Sequence, residues 1–320
     1  MSTIGFAGVI PAALSPFEPD GSLHRADLEL HLRYLFGTDG VTAVTVNGHA
    51  GEVASLTLDE QVEIVRLACA VAPAEKSVVA GVYAHSNTEA AAIARAATAA
   101  GADALLVFPP EVWEFGVEQD SRLALSYYEA IASASDLPLI AFVYPTNSPL
   151  HLSTETVAEL CRVVPAIRAV KEWSNDARVY LATLERLRSE HPDVALLSSH
   201  SRTLLSSLAM GSDGILSGHA SLVPELQVAL FRAVEASDLP CARELASDLL
   251  RLTDVFYEPP ISDGFTRMKY ASQQLGRMEA IGTRGPLPAL TAQARQRVDE
   301  VVPLLRKHQR GHALVDQAAQ

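Results

Sequence analysis

The chain has 320 residues, 48% of them apolar and 20% charged, enough to bury a large core and not the composition of a disordered protein. A net charge of −13 excludes a general binder of nucleic acid or of anionic membrane surfaces, since both would repel it. No apolar run reaches the ~20 residues a bilayer span needs, and the opening MSTIGFAGVIPAAL lacks a signal peptide's basic start and apolar stretch, so a cytoplasmic protein is expected.

Eight short apolar runs follow in order: 5–14, 41–48, 76–83, 102–110, 137–145, 166–173, 194–200 and 213–220. Most are apolar nearly throughout, as parallel strands buried on both faces should be. Between them lie segments of helical period. Segment 56–72 begins with Thr57 and Glu60 at capping-box spacing, and 86–101 opens on Ser86 and closes on Gly101. Amphipathic spacing recurs over 153–164 and 175–191. Eight such βα units predict an α/β chain folded as a (β/α)8 TIM barrel. An open doubly wound sheet would carry a Gly-rich phosphate turn after its first strand. Here the first strand runs into Pro11 and Pro16 instead.

The strands and crossovers are expected within 1–222. Residues 223–310 supply the last barrel helix and a helical appendage packed on the barrel, and 311–320 a flexible tail. Cys69, Cys161 and Cys241 are too scattered for a disulfide framework or a metal site and read as small buried hydrophobes. His24 and His31 read as surface-helix residues, and His200 and His219 as strand-end residues facing a pocket. Neither a phosphate loop nor a zincin spacing occurs, so neither cofactor nor metal is expected.

Only four lysines stand among the 25 basic residues: Lys76, Lys171, Lys269 and Lys307. Lys171 ends the sixth apolar run, AIRAVKEW, at the C-terminal edge of a barrel strand, the face where barrel active sites lie. Desolvation there disfavours the ammonium form. A neutral amine attacks a ketone, and the resulting iminium is an electron sink for C–C or C–O cleavage. Strand alternation points Glu172 the other way, as a structural hydrogen-bonding partner.

Several motifs fall on these strands in order. Gly48-His49-Ala50-Gly51-Glu52 closes strand two, and Gly81 with Thr88-Glu89-Ala90 marks strand three and its helix. Residues 138–145, PLIAFVYP, form strand five, and Ala169-Val170-Lys171-Glu172 strand six. Strand seven carries Leu196-Leu197-Ser198, and strand eight follows as 210–217, MGSDGILS. Together they resemble the dihydrodipicolinate synthase / N-acetylneuraminate lyase family of class I pyruvate-type aldolases, over Gly5 to Leu305. The resemblance implies a TIM barrel, a Schiff-base lysine at Lys171, a small-molecule 2-oxo acid substrate and a homo-oligomer, tetramer or dimer.

The chain also departs from that family. The strand-five Tyr that moves protons beside the imine is matched by Phe142. The two signature threonines are His49 and Ala50. The Tyr of the loop after strand four falls near Glu111, with Trp113 close by, and the synthase Arg that grips a second carboxylate is Asn147. Strand seven's usual Gly is Ser199. These changes argue against dihydrodipicolinate synthesis.

Tyr144, on the same strand face as Phe142 and nearer the mouth, His49 and Glu111 are the candidates to move the proton. His49 is attractive because an ordinary imidazole gives and takes protons near neutrality. Backbone N–H groups of the Gly48–Gly51 turn, with glycine at both ends, form an anion nest for the substrate carboxylate. Trp113, Phe115 and Trp173 leave room for a bulky or apolar tail, with Leu216 of strand eight at the pocket. The expected activity is that of a Schiff-base lyase or aldolase acting through Lys171, with pyruvate as the small fragment. One alternative is a 2-keto-3-deoxy sugar acid dehydratase using the same imine, since some such members of the family also lack the strand-five Tyr. Another is a non-catalytic barrel that binds an oxo acid.

Overall fold

The computed structural model of the chain describes residues 5–318, with only the backbone described for 310–318. Eight strands alternate with helices: β1 Gly8–Pro11, β2 Ala43–Val46, β3 Ser77–Val82, β4 Ala104–Val107, β5 Leu139–Val143, β6 Ile167–Glu172, β7 Ala195–Ser198 and β8 Gly214–Ser217. Each lies inside one of the eight apolar runs. All pair in parallel in the order β1-β8-β7-β6-β5-β4-β3-β2, and bridges Val9–Val41 and Ala12–Thr45 join β1 to β2 and close the ring. The structure is therefore the expected TIM barrel.

The crossovers start where their caps dictate. α2 (Leu58–Val71) begins with a capping box: Thr57 Oγ1 accepts from Glu60 N, and the Glu60 carboxylate accepts from Thr57 N at 2.9 Å. α3 (Asn87–Ala100) is capped by Ser86 and stops at Gly101, whose φ of +103° suits a residue without a Cβ. α5 (Thr154–Val163) and α6 (Ala177–Glu190) carry Ser153 and Asp176 as caps.

Inward side chains fill the barrel in layers, as in other eight-stranded barrels: Ile10, Leu106, Ile140, Phe142, Ala169, Leu197 and Leu216 form one cluster. Outward strand residues pack against the helices in a second, larger cluster.

α8 (Pro224–Glu235) completes the barrel. α9 (Leu239–Phe256), α10 (Gly264–Gln274) and α11 (Ala292–Ala318) follow it. Polar anchors hold this segment down. Lys269 of α10 is fully buried and donates to Glu52 at 2.5 Å and to the Gly282 carbonyl at 2.6 Å. Arg284 forks onto Glu60 and lies over Phe17, and Asp27 accepts from the N–H groups of Glu279 and Ala280. The segment expected as a tail, 311–320, falls partly within α11, and its last two residues lie outside those described.

Some side chains sit elsewhere than the sequence suggested. His31 of α1 (Arg25–Gly37) is buried and accepts from Leu14 N, because its helix face turns to the barrel. Cys161 is buried, but Cys69 is half-buried and Cys241 exposed, at the start of α9. Among the described residues no helix is long and apolar enough to cross a membrane.

Candidate active site

Lys171 is the penultimate residue of β6 and pairs in register with Phe142 on one side and Leu197 on the other. Alternation turns its side chain into the barrel, where only 7% of its surface is exposed. The Nζ lies 3.9 Å from the centroid of the Phe142 ring. Burial alone pushes its pKa down to about 7, since an ammonium there loses its water. Glu172 points outward, fully buried, and accepts from Ser174 N at 2.9 Å and from His200 Nε2 at 2.5 Å. That is the structural role expected of it.

The turn after β2 forms one wall. Asn47 and Glu52 take left-handed φ values of 54° and 55°, so the bend is made by the residues flanking Gly48 and Gly51 and not by the glycines themselves. Gly51 is needed for contact instead: a Cβ there would lie 3.1 Å from Ser15 Oγ. Gly81 of β3 is stricter still, because its Cβ would overlap the Asn47 carbonyl. Within the turn, Gly51 and Val53 donate to the Gly48 carbonyl and Glu52 to that of His49. Among the described residues no acceptor takes the N–H of His49 or Ala50. Both residues line the cavity described next.

That cavity opens at the C-terminal end of the strands and measures about 500 Å³. Lys171, Phe142 and Leu106 lie along it with Trp173, and Gly48, His49 and Ala50 form one side. Ser199, Ser201, Arg202 and Thr203 after β7, with Asn175 after β6, form a polar side. Thr253, Tyr257 and Phe265 of the appendage, with Ile261, supply the rest. Gly218 lets this cover approach: a Cβ there would sit 3.0 Å from the Phe265 ring.

His49 packs edge-on to Phe108, with centroids 4.7 Å apart, and its Nε2 is 2.5 Å from the Tyr144 hydroxyl. Burial, and secondarily the Lys171 charge, push its pKa down to about 3. The imidazole is therefore neutral at neutral pH, unlike the half-protonated group expected from an ordinary histidine. Burial raises the Tyr144 phenol well above its usual value, so it keeps its proton.

The structure brings Lys171, His49, Gly48, Ala50, Phe142, Trp173 and Ser199 to one cavity. Tyr144 joins through His49, standing behind it. Four other candidates lie off the wall. Glu111 is exposed at the start of a 3-10 helix, Glu111–Phe115, and does not line the cavity. Asn147 is exposed in the loop after β5. Gly51 packs against Ser15, and Leu216 is fully buried among the barrel's inner side chains. Trp113 is buried against Tyr127 and Tyr128, and Phe115 is 81% exposed, so neither widens the pocket. Among the strand-end histidines, His200 turns outward to Glu172 and His219 is buried beside Thr253 and Phe256. Among the described residues no group of three or more metal-ligating side chains occurs.

Sequence reasoning missed Asn175, Arg202, Thr203 and the whole appendage wall. The polar run Ser198–Thr203 directly after β7 was a usable signal for the first group. Nothing local marked Tyr257 or Phe265, which reach the mouth only because the chain doubles back after α9.

The sequence and fold are both shared with known proteins. The model of the Dihydrodipicolinate synthetase family matches residues 5–304. A 4-hydroxy-tetrahydrodipicolinate synthase of Haloarcula marismortui is 33% identical, covering 78% of each chain. A probable 2-dehydro-3-deoxy-D-pentonate aldolase of Escherichia coli is 27% identical, over 85% of this chain and 88% of its own. The crystal structure of a Bacillus anthracis dihydrodipicolinate synthase superposes with a TM-score of 0.84 at 26% identity, covering 94% of this chain and 99% of its own.

Proposed function

Because the chain belongs to the dihydrodipicolinate synthetase family and is a lyase of that family, we propose that it acts through an imine between Lys171 and a 2-oxo acid. The observation that carries the reading is an amine inside a cavity at the barrel mouth, with a pKa near 7 and no ion-pair partner among the described residues. Such an amine is uncharged often enough at neutral pH to attack a carbonyl.

The substrate carboxylate is held by the N–H groups of His49 and Ala50, which no acceptor among the described residues takes, a backbone nest that does the work of the absent signature threonines. His49, held neutral with Tyr144 on its Nε2, relays the protons of carbinolamine collapse and enamine formation without resting as an imidazolium. Its Nδ1 has no partner among the described residues, while Tyr144 fixes its Nε2. Phe142, Trp173 and Phe265 favour a substrate with an apolar or bulky tail. Aspartate semialdehyde does not suit this site, because position 147 is an exposed Asn and the ring beside Lys171 is that of Phe142. A homo-oligomer in the cytoplasm, dimer or tetramer, completes the reading.

Pyruvate in deuterated water tests the chemistry without knowledge of the second substrate, since an enamine exchanges the methyl protons. The neutral amine is the reactive form and its pKa is about 7. Exchange should therefore rise from pH 5 to about 7 and level off above. A rate still climbing beyond pH 9 would mean an ordinary exposed lysine. His49→Ala should slow exchange by about 10²-fold while adduct formation survives, with a smaller loss for Tyr144→Phe, which acts through His49. Full exchange in His49→Ala would assign the proton elsewhere. Product analysis of a 2-keto-3-deoxy acid then separates cleavage from dehydration.

A further inference from the structure

Behind the polar side of the cavity lies a chain of hydrogen bonds that the imine chemistry does not use. Thr203 lines the cavity, and its Oγ1 is 3.4 Å from His200 Nδ1. His200 is 3% exposed and stands edge-on to the Tyr180 ring. Its Nε2 is 2.5 Å from Glu172 Oε2, and the other oxygen of that fully buried carboxylate accepts from Ser174 N. The Asn175 N–H also lies 3.4 Å from Nε2, but the much shorter carboxylate contact decides that this nitrogen carries the proton. Nδ1 is then the acceptor, and the Thr203 hydroxyl donates to it.

Hydroxyl, imidazole and buried carboxylate in line are the arrangement that draws a proton out of a hydroxyl and stabilises the imidazolium that results. We propose that Thr203, backed by His200 and Glu172, is the base that accepts the C4 hydroxyl proton of a 4-hydroxy-2-oxo acid during retro-aldol cleavage. The inference rests on the imine reading. With the substrate held as an iminium on Lys171, the C4 O–H proton passes to Thr203 Oγ1 as the Thr203 proton passes to His200 Nδ1. The C3–C4 bond breaks, its electron pair becomes the enamine, and C4 leaves as an aldehyde or ketone. The proton on His200 returns through Thr203 to solvent when the product departs. Glu172 holds the His200 Nε2–H throughout. Thr203 is the catalytic residue here; His200 and Glu172 are positioning residues.

The test follows pyruvate release from 4-hydroxy-2-oxopentanoate, 4-hydroxy-2-oxoglutarate and 2-keto-3-deoxygluconate, with borohydride trapping of pyruvate run in parallel. Wild-type protein should cleave at least one of the three. Thr203→Val should lower kcat on it by about 10²-fold, with trapping and methyl exchange unchanged, and Thr203→Ser should restore most of the rate. Glu172→Gln should cause a comparable loss in kcat with KM unchanged. Its amide would donate to His200 Nε2, reverse the tautomer and remove the acceptor from Thr203. The same variant should lose the downfield proton NMR signal of the His200–Glu172 bond. Full cleavage by Thr203→Val overturns the relay. So does a wild type that traps pyruvate yet cleaves none of the three, an outcome that leaves the imine standing. A wild type that traps no pyruvate removes the imine reading and the relay with it.

Discussion

Replacing Lys171 by Met should abolish pyruvate exchange and lower turnover of any true substrate on the order of 10⁵-fold or more, the scale on which removal of a covalent nucleophile acts. Met fills nearly the same volume and carries no charge. Stability in urea should therefore be unchanged or higher, because the wild-type protein holds an ammonium-forming group in a place with 7% exposure and no counter-charge among the described residues. The two readouts together separate a catalytic lysine from a structural one. A lysine kept for the fold would give the opposite pattern, with lost stability and surviving exchange.

The second large effect concerns the appendage. Lys269→Met removes the partner of Glu52 and leaves a carboxylate buried beneath α10, along with the Gly282 carbonyl that the ammonium had satisfied. Breaking a buried pair on one side costs about 3–5 kcal/mol, far more than the pair itself contributes. Urea unfolding should show that loss, and Lys269→Met combined with Glu52→Gln should recover part of it by removing the stranded charge. Equal stability of the single and double variants would mean that Glu52 finds water or another partner. The pair also bears on function, because Glu52 ends the turn that carries His49 and Ala50, and α10 carries Phe265. Loosening it should blur both walls of the cavity.

The barrel was legible because each strand is an apolar run buried on both faces, and each helix between announces itself by a cap. Thr57 with Glu60 and Ser86 with Gly101 are local signals, and the structure uses them as local physics requires. Lys171 was legible for the same reason: its position at a strand end fixes both its depth and its face. The helical character of the appendage was readable too, but its path was not. Tyr257 and Phe265 reach the mouth through loops whose course depends on anchors such as Asp27 to Ala280 and Lys269 to Glu52, more than 200 residues apart in sequence.

The proton-moving candidates divide along the same line. Tyr144 directly follows a strand, and alternation placed it on the face of Phe142; its contact with His49, which lies in the turn after β2, was not foreseen. Glu111 opens a short 3-10 helix and Asn147 sits in a loop, where strand period carries no information about direction, and neither lines the cavity. His200 was expected at the pocket by its place after β7. One further step in alternation turned it outward to Glu172, where it reaches the cavity only through Thr203.

Intact mass spectrometry after borohydride reduction in the presence of pyruvate, followed by peptide mapping, tests the central claim most directly. The account predicts one reduced pyruvate adduct per chain, carried by the peptide that contains Lys171 and absent from Lys171→Met. No adduct, or an adduct spread over Lys76, Lys269 and Lys307 as well, would contradict it.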